Sequence, residues 1–261
     1  MTVFKNVGKA VLGAAAIALI SVSAQAQDFT GHLAKIAENG VITLGYRDSS
    51  IPFSYLDENQ KPVGYTMDIC AKIVDAVAEK VGKDLKVNYV PVNPKTRMTL
   101  IANGTIDMTC GSATDTLARE QKVGFLPTIF VTGTKLLVKE GSGISSIDDL
   151  EGKSIALPQG TTNDKAIRHE IAKRGLNVNI LSVSNHGEGF LALQTDRVDA
   201  YSTGHILLFR LKAKAKAKKP DNYAVVGDFL SFDPYGIMIP RDDDDFRLIG
   251  RIALADLARS G

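Results

Sequence analysis

Two stretches of the 261-residue chain share a form suited to holding an anion. In "CGSATDTLARE", residues 110–120, an apolar run ends in Gly111-Ser112 and a helix is expected to begin near Thr114 to Thr116. Free backbone N–H groups at a helix start favour negative charge. Ser112 and Thr114 can add hydroxyl donors. Arg119, about one turn on, can reach back with a planar fork that matches a carboxylate bidentately. In "PQGTTND", residues 158–164, Gly160 lets a ligand approach the backbone, and Thr161 and Thr162 can donate. Each stretch also fits a plainer account, in which a hydroxyl or Asp115 only caps the helix and Arg119 is solvated. Two such starts in one chain are more telling than one.

A third group is Arg47, Arg97 and His186, each at or near a strand-to-helix junction. In open α/β sheets, ligands gather at the carboxyl ends of the strands. Arg47 lies in "GYRDSSIPFSY", residues 45–55, where a buried strand meets a turn rich in aromatics. A charge beside aromatics on a loop suits binding. Taken alone, Arg97 reads as a solvated helix residue and His186 as a helix cap. Nothing points to covalent chemistry: G-x-S-x-G, Walker and H-E-x-x-H motifs are absent from the sequence. His32, His169, His186 and His205 show no metal-ligand spacing with each other or with the cysteines, and neither a metal nor a cofactor is expected.

The elements that must position these residues alternate. Strands are expected at 41–46, 85–92 and 106–112, with helices at 66–81, 95–104 and 114–123 between and after them. In the helix at 66–81, Ile69, Ile73, Val74, Val77 and Val81 recur at helical spacing, and Gly82 ends the run. The grammar restarts at 135–140 and continues through "SIALPQG", a helix from Thr161, "NVNILSV", "GEGFLALQTDRV", "DAYST" and a helix broken by Pro220. Residues 225–240 read as strand, loop and strand, and a last helix follows Asp242 to Asp245. Such alternation favours parallel sheet with helices on its faces, here in two units. "KAKAKAKK" and "DDDD" suit the ends of helices and carry no ligand in this reading.

Lys5 and Lys9, an apolar run from Ala10 to Ile20 and Ala24-Gln25-Ala26 read as an export signal cut after Ala26. Removal of residues 1–26 leaves 29 Lys+Arg against 29 Asp+Glu, a formal charge of zero, which argues against nucleic acid or an anionic membrane as partner. Cys70 and Cys110 could pair in an exported chain. The plainer expectation is two separate buried thiols, because nothing in their spacing asks for a bridge.

The stretches "GYRDSSIPFSY", "KPVGYTMDIC", "NGTIDMTCGSATDTLARE", "FLPTIFVTGTKLLVK", "LPQGTTND", "NHGEGF" and "AKAKKPDNY" carry a resemblance. In their order and spacing the chain resembles the exported solute-binding proteins of ABC importers for polar amino acids, most closely the glutamate/aspartate-binding branch. The resemblance implies an α/β, two-lobed periplasmic-binding-protein fold of type II. Each lobe would be a mixed sheet flanked by helices, and two crossing strands would join them. Residues 27–132 and 228–261 would form the first lobe and 133–227 the second. A monomer in the periplasm would close on a ligand by a hinge and deliver it to an ABC permease in the inner membrane. Ser112, Thr114 and Arg119 would hold the α-carboxylate, with Thr162 supporting from the second lobe. Arg47, Arg97 and His186 would hold the side-chain carboxylate, and the aromatics after Arg47 would line the cleft.

Two departures stand out. The acid that such proteins present to the ligand's ammonium falls at or beside Gly204, where no acid stands. Thr203, His205 and Asp199 are nearby candidates, though strand alternation could turn Asp199 away. The sequence also stops at Gly261, where relatives usually continue with an aromatic-rich segment, so the first lobe is expected to lack part of its cover. Rival readings are a binder of an amine-free dicarboxylate and a dehydratase-like enzyme. A sensor domain is a further rival, but it would be fused to a membrane span. An enzyme would need a tuned acid or base, and His186 is the one nameable candidate.

Overall fold

The structure is a computed structural model that describes residues 29–216 and 222–260; the expected export signal, Pro220 and Gly261 lie outside them. In chain order the first elements are α1 (Gly31–Asn39), β1 (Val41–Tyr46), β2 (Ser49–Ser50), β3 (Ser54–Leu56), β4 (Pro62–Val63) and α2 (Tyr65–Val81). They continue with β5 (Lys86–Pro91), α3 (Arg97–Ala102), β6 (Met108–Cys110), α4 (Leu117–Glu120), β7 (Gly124–Phe125) and β8 (Phe130–Thr132). Next come β9 (Thr134–Lys139), β10 (Ser154–Pro158), α5 (Thr162–Arg174), β11 (Asn179–Val183), α6 (His186–Gln194), β12 (Ala200–Gly204), α7 (His205–Lys216) and β13 (Tyr223–Val226). The chain ends with β14 (Asp233–Tyr235), β15 (Met238–Ile239) and α8 (Asp244–Ser260).

Two five-stranded mixed sheets form the frame, in the orders β5-β1-β6-β15-β7 and β11-β10-β12-β9-β13. In the first, β1 runs parallel to β5 and β6, and β15 runs antiparallel to β6 and β7. In the second, β10 runs parallel to β11 and β12, and β9 runs antiparallel to β12 and β13. Between the sheets the chain crosses twice, through β8 and β14, which pair antiparallel. This is the expected two-lobed architecture with two crossing strands. Strand alternation builds the second lobe's core on both faces. Leu137, Ala156 and Tyr201 pack on one side, and Leu136, Val138, Ile155, Leu157 and Ala200 on the other. In the first lobe, α1, α2 and α8 lay Leu33, Ile36, Ile73, Val77 and Phe246 over Ile42, Leu44 and Met108.

Three expectations change. Cys70 and Cys110 are not separate thiols but a disulfide, because α2 packs over β6 and brings their Cα atoms to 6.2 Å. The helix expected over 114–123 shrinks to the single turn of α4. Backbone bonding takes the residues before it: Thr114 forms a bridge with Tyr235, and Asp115 N donates to Pro234 O at 2.7 Å. Within the acidic run, Asp243 is buried and not solvated. It accepts from Phe246 N and from His32 N, and so caps α8 and fastens α1, a helix the sequence reading did not foresee.

Candidate ligand-binding site

All eight residues singled out from the sequence meet in one small cavity between the lobes. Arg47, Arg97, Ser112, Thr114, Arg119, Thr161, Thr162 and His186 line it together with Asn163, Thr203 and Tyr235. Arg47 follows the end of β1, where Ser54 Oγ accepts from its backbone N at 2.9 Å. Arg97 opens α3 and is 3% exposed, not solvated, because α3 packs its first turn inward. Arg47 and Arg119 are 1% and 9% exposed. Among the described residues, Arg47 Nε and Nη2 and Arg97 Nε have no hydrogen-bond partner. Burial lowers the pKa of Arg47 to about 10, and burial with Arg119 and Arg47 beside it lowers that of Arg97. Three guanidiniums are thus held at one place out of water, a costly arrangement without an anion.

His186 opens α6, where Asn185 serves as the cap by accepting from Glu188 N. The ring is buried, and Nδ1 lies 2.8 Å from Tyr201 Oη. Burial, then Arg47 and Arg97, push the imidazole pKa well below its usual range, and burial pushes the Tyr201 phenol up. Both groups are thus neutral, and one ring nitrogen is engaged by the phenol while the other is left for the cavity. Thr161 plays the plainer role weighed for it: its hydroxyl accepts from Asp164 N at 2.9 Å and donates to Pro158 O at 2.8 Å.

Arg119 bridges the cleft. Its Nη1 donates to Thr114 O at 2.6 Å and its Nη2 to Gly160 O at 3.1 Å. Gly160 has φ +77°, and a Cβ there would meet Pro94 and Lys95 backbone at 3.1–3.2 Å, so the close approach of the lobes needs glycine. Thr114 and Thr162 also meet across the cleft, Oγ1 to Oγ1 at 2.9 Å. Outside the cavity Asn185 Nδ2 donates to Asp48 Oδ2 at 3.3 Å. The space left among the lining residues is about 10 Å³, near that of one water.

The aromatics after Arg47 do not line the cavity. Phe53 is buried behind Tyr235, with ring centroids 5.3 Å apart, and also packs on Phe130 and Tyr65. Tyr235, from β14, is the aromatic in the wall. A Cβ on Gly204 would come within 2.3 Å of Tyr235 Oη, so a phenol occupies the place where an acid was sought. Asp199 is exposed and holds Ser154 N and Oγ, and His205 Nδ1 pairs with Thr132 Oγ1 at 2.7 Å, so neither reaches the cavity. Sequence reasoning missed Asn163, Tyr235 and the buried carboxylate of Asp233. Asn163 stood inside "PQGTTND" but offered no signal beyond helix capping, and "FDPYG" read only as a loop.

Asp115 borders the site. Burial, then Glu120, raise its carboxyl pKa to about 6. A folded value above the unfolded one favours the folded state at low pH, and that contribution is lost as pH rises through about 6. Asp115→Asn is expected to flatten the fall in Tm between about pH 4 and 7. Parallel Tm–pH curves for the two proteins would show that this carboxyl titrates as if solvated.

Two lobes, two crossing strands and a charged cleft between them define a solute-binding protein. The chain belongs to the bacterial extracellular solute-binding proteins, family 3, whose model matches residues 42–261. It is 42% identical to the L-glutamate/L-aspartate-binding protein of Pseudomonas aeruginosa over 94% of this chain and 81% of that protein. It is 39% identical to the glutamate/aspartate import solute-binding protein of Escherichia coli over 94% and 82%. Among solved structures, an ancestral amino acid-binding protein described as a precursor of cyclohexadienyl dehydratase superposes with a TM-score of 0.73 at 26% identity, covering 88% of this chain and 94% of that one.

Proposed function

We propose that this protein captures an acidic amino acid, glutamate or aspartate, in the cleft and hands it to an ABC importer. The observation that carries the reading is the convergence of Arg47, Arg97 and Arg119 on one buried cavity, with guanidinium nitrogens that have no partner among the described residues. A ligand with two carboxylates answers both ends of that arrangement. Arg119 and Ser112 would take the α-carboxylate; Arg47, Arg97 and His186 would take the side-chain carboxylate. The names of the relatives support the same ligand class. Residues 27–132 with 228–261, and 133–227, are the proposed lobes.

The protein is read as a periplasmic, monomeric binder and not an enzyme. Among the described residues no helix is long and apolar enough to cross a membrane. His186, the acid or base available to an enzyme reading, is held neutral and engaged by Tyr201, which suits donation to a ligand better than proton transfer. Incubation with candidate carboxylic acids that yields product would reverse this. A binder of an amine-free dicarboxylate is the second reading, favoured by Gly204 standing where an acid was expected.

A thermal-shift panel tests the function. At a hundredfold excess over Kd, a ligand of the folded state adds about 2.7 kcal/mol, roughly 5–10 °C in Tm for a chain of this size. Glutamate or aspartate is expected to give that rise. Arg97→Ala and His186→Ala are expected to cut the rise with glutamate far more than any rise with glutamine, whose side chain brings no second charge. Equal losses with both ligands would assign these residues to the fold or hinge.

A further inference from the structure

Asp233 lies directly behind one corner of the cavity and is itself 1% exposed. Its Oδ1 accepts from Thr114 Oγ1 at 3.0 Å and from Thr162 Oγ1 at 2.7 Å. Its Oδ2 accepts from the Ser231 hydroxyl, from Asn163 Nδ2 at 3.4 Å and from Thr134 Oγ1 at 3.5 Å. Among the described residues it forms no salt bridge. Every hydrogen-bond contact to this carboxylate is a neutral donor, and the cavity beside it is lined by Arg47, Arg97 and Arg119.

The corner in front of Asp233 is built to accept. Thr114 and Thr162 carry one hydroxyl proton each, and their oxygens lie 2.9 Å apart. A carboxylate can only accept, so the contacts to Oδ1 draw the hydroxyl protons of Thr114 and Thr162 toward Asp233. With its proton drawn to Oδ1, each hydroxyl has a lone pair free for the cavity that both residues line. Asn163 follows the same pattern: Nδ2 donates to Thr134 Oγ1 at 2.6 Å and to Asp233, while Oδ1 accepts from Thr203 Oγ1 at 3.4 Å. Thr114, Thr162 and Asn163 all line the cavity, with the Asp233 carboxylate one hydrogen bond behind them.

We propose that Asp233, acting through Thr114, Thr162 and Asn163, makes this corner a subsite for a primary ammonium and so stands in for the acid missing at Gly204. The inference rests on the proposed function and deepens it, since it assigns the amine of an α-amino acid. It also recasts Thr114, whose hydroxyl is drawn toward Asp233, as a partner of the amine. Asp233 is a positioning residue. It sets the direction of two hydroxyl protons and supplies the countercharge without touching the ligand.

The test is calorimetric titration of the full chain with glutamate and with glutarate, which keeps both carboxylates and lacks the amine. The wild-type protein is expected to prefer glutamate at least tenfold. In Asp233→Asn glutamate affinity should fall at least tenfold while glutarate affinity stays level or rises, so the preference collapses. Loss of both ligands by the same factor would overturn the proposal and leave Asp233 a lock between the lobes. If Asp233→Asn does not fold, Thr162→Val gives the same comparison, with the same collapse expected and an unchanged preference counting against it. Wild-type protein that binds both ligands equally would overturn the ammonium subsite yet keep the dicarboxylate reading. Wild-type protein that binds neither would remove the proposed function itself.

Discussion

Arg119→Ala is expected to weaken binding of an acidic amino acid by roughly thirtyfold to several thousandfold, the effect of about 2–5 kcal/mol seen when one partner of a buried charge pair is truncated. Two roles combine in this side chain. Its guanidinium faces the cavity, and it also ties Thr114 O in one lobe to Gly160 O in the other. Alanine would leave a ligand carboxylate unpaired and both carbonyls without that donor. Arg119→Lys is expected to restore only part of the loss, because one ammonium cannot span two carbonyls and also present a planar fork. Calorimetry on both variants measures this, with Tm recorded to confirm that each is folded. Affinity within threefold of wild type in Arg119→Ala would remove Arg119 from the binding role.

The second large effect is expected at the disulfide. Cys70 and Cys110 are 40 residues apart, and closing a loop of that length corresponds to about 4 kcal/mol in the chain-entropy model. Reduction, or the double substitution Cys70→Ser with Cys110→Ser, is expected to lower Tm by roughly 8–16 °C. The bridge matters locally as well. Cys110 ends β6, and Gly111, Ser112, Ala113 and Thr114 follow it into the cavity wall. The bridge therefore anchors that loop to α2. Ligand affinity of the reduced protein should decline less steeply than its stability, because β6 still pairs with β1 and β15. Superimposable melting curves for oxidised and reduced protein would show that the core holds α2 on β6 unaided.

Legibility in the sequence followed the range of the forces involved. Helix α2 could be read because Ile73, Val74 and Val77 repeat at its own period and Gly82 stops it in the left-handed region, at φ +70°. Arg47, Arg119 and Thr162 could be read because each follows a strand end, where a local pattern exists. The disulfide left no local trace, since only the docking of α2 on β6 brings the thiols together. Strands β7 and β15 are two residues long, below any period that alternation can show. The helix over 114–123 was overestimated because Thr114 and Asp115 bond to Tyr235 and Pro234, more than a hundred residues away. Asp233 was invisible for the same reason. Its partners come from residues 114, 134, 162–163 and 231, and no window of sequence contains them together.

The contacts that close the cleft also set a clock. Thr114 touches Thr162, Arg119 reaches Gly160 O, and Asn185 reaches Asp48. The cavity they leave is about 10 Å³, too small for an amino acid, so if capture follows the proposed function these contacts must part for a solute to enter or leave. The observed association rate should climb with solute concentration and then level off at the rate of opening. Residence time should then depend partly on pairs that do not line the cavity, such as Asn185 with Asp48 on the outer rim. Changes at that rim would alter how long cargo is kept while leaving which cargo is chosen to the arginines inside.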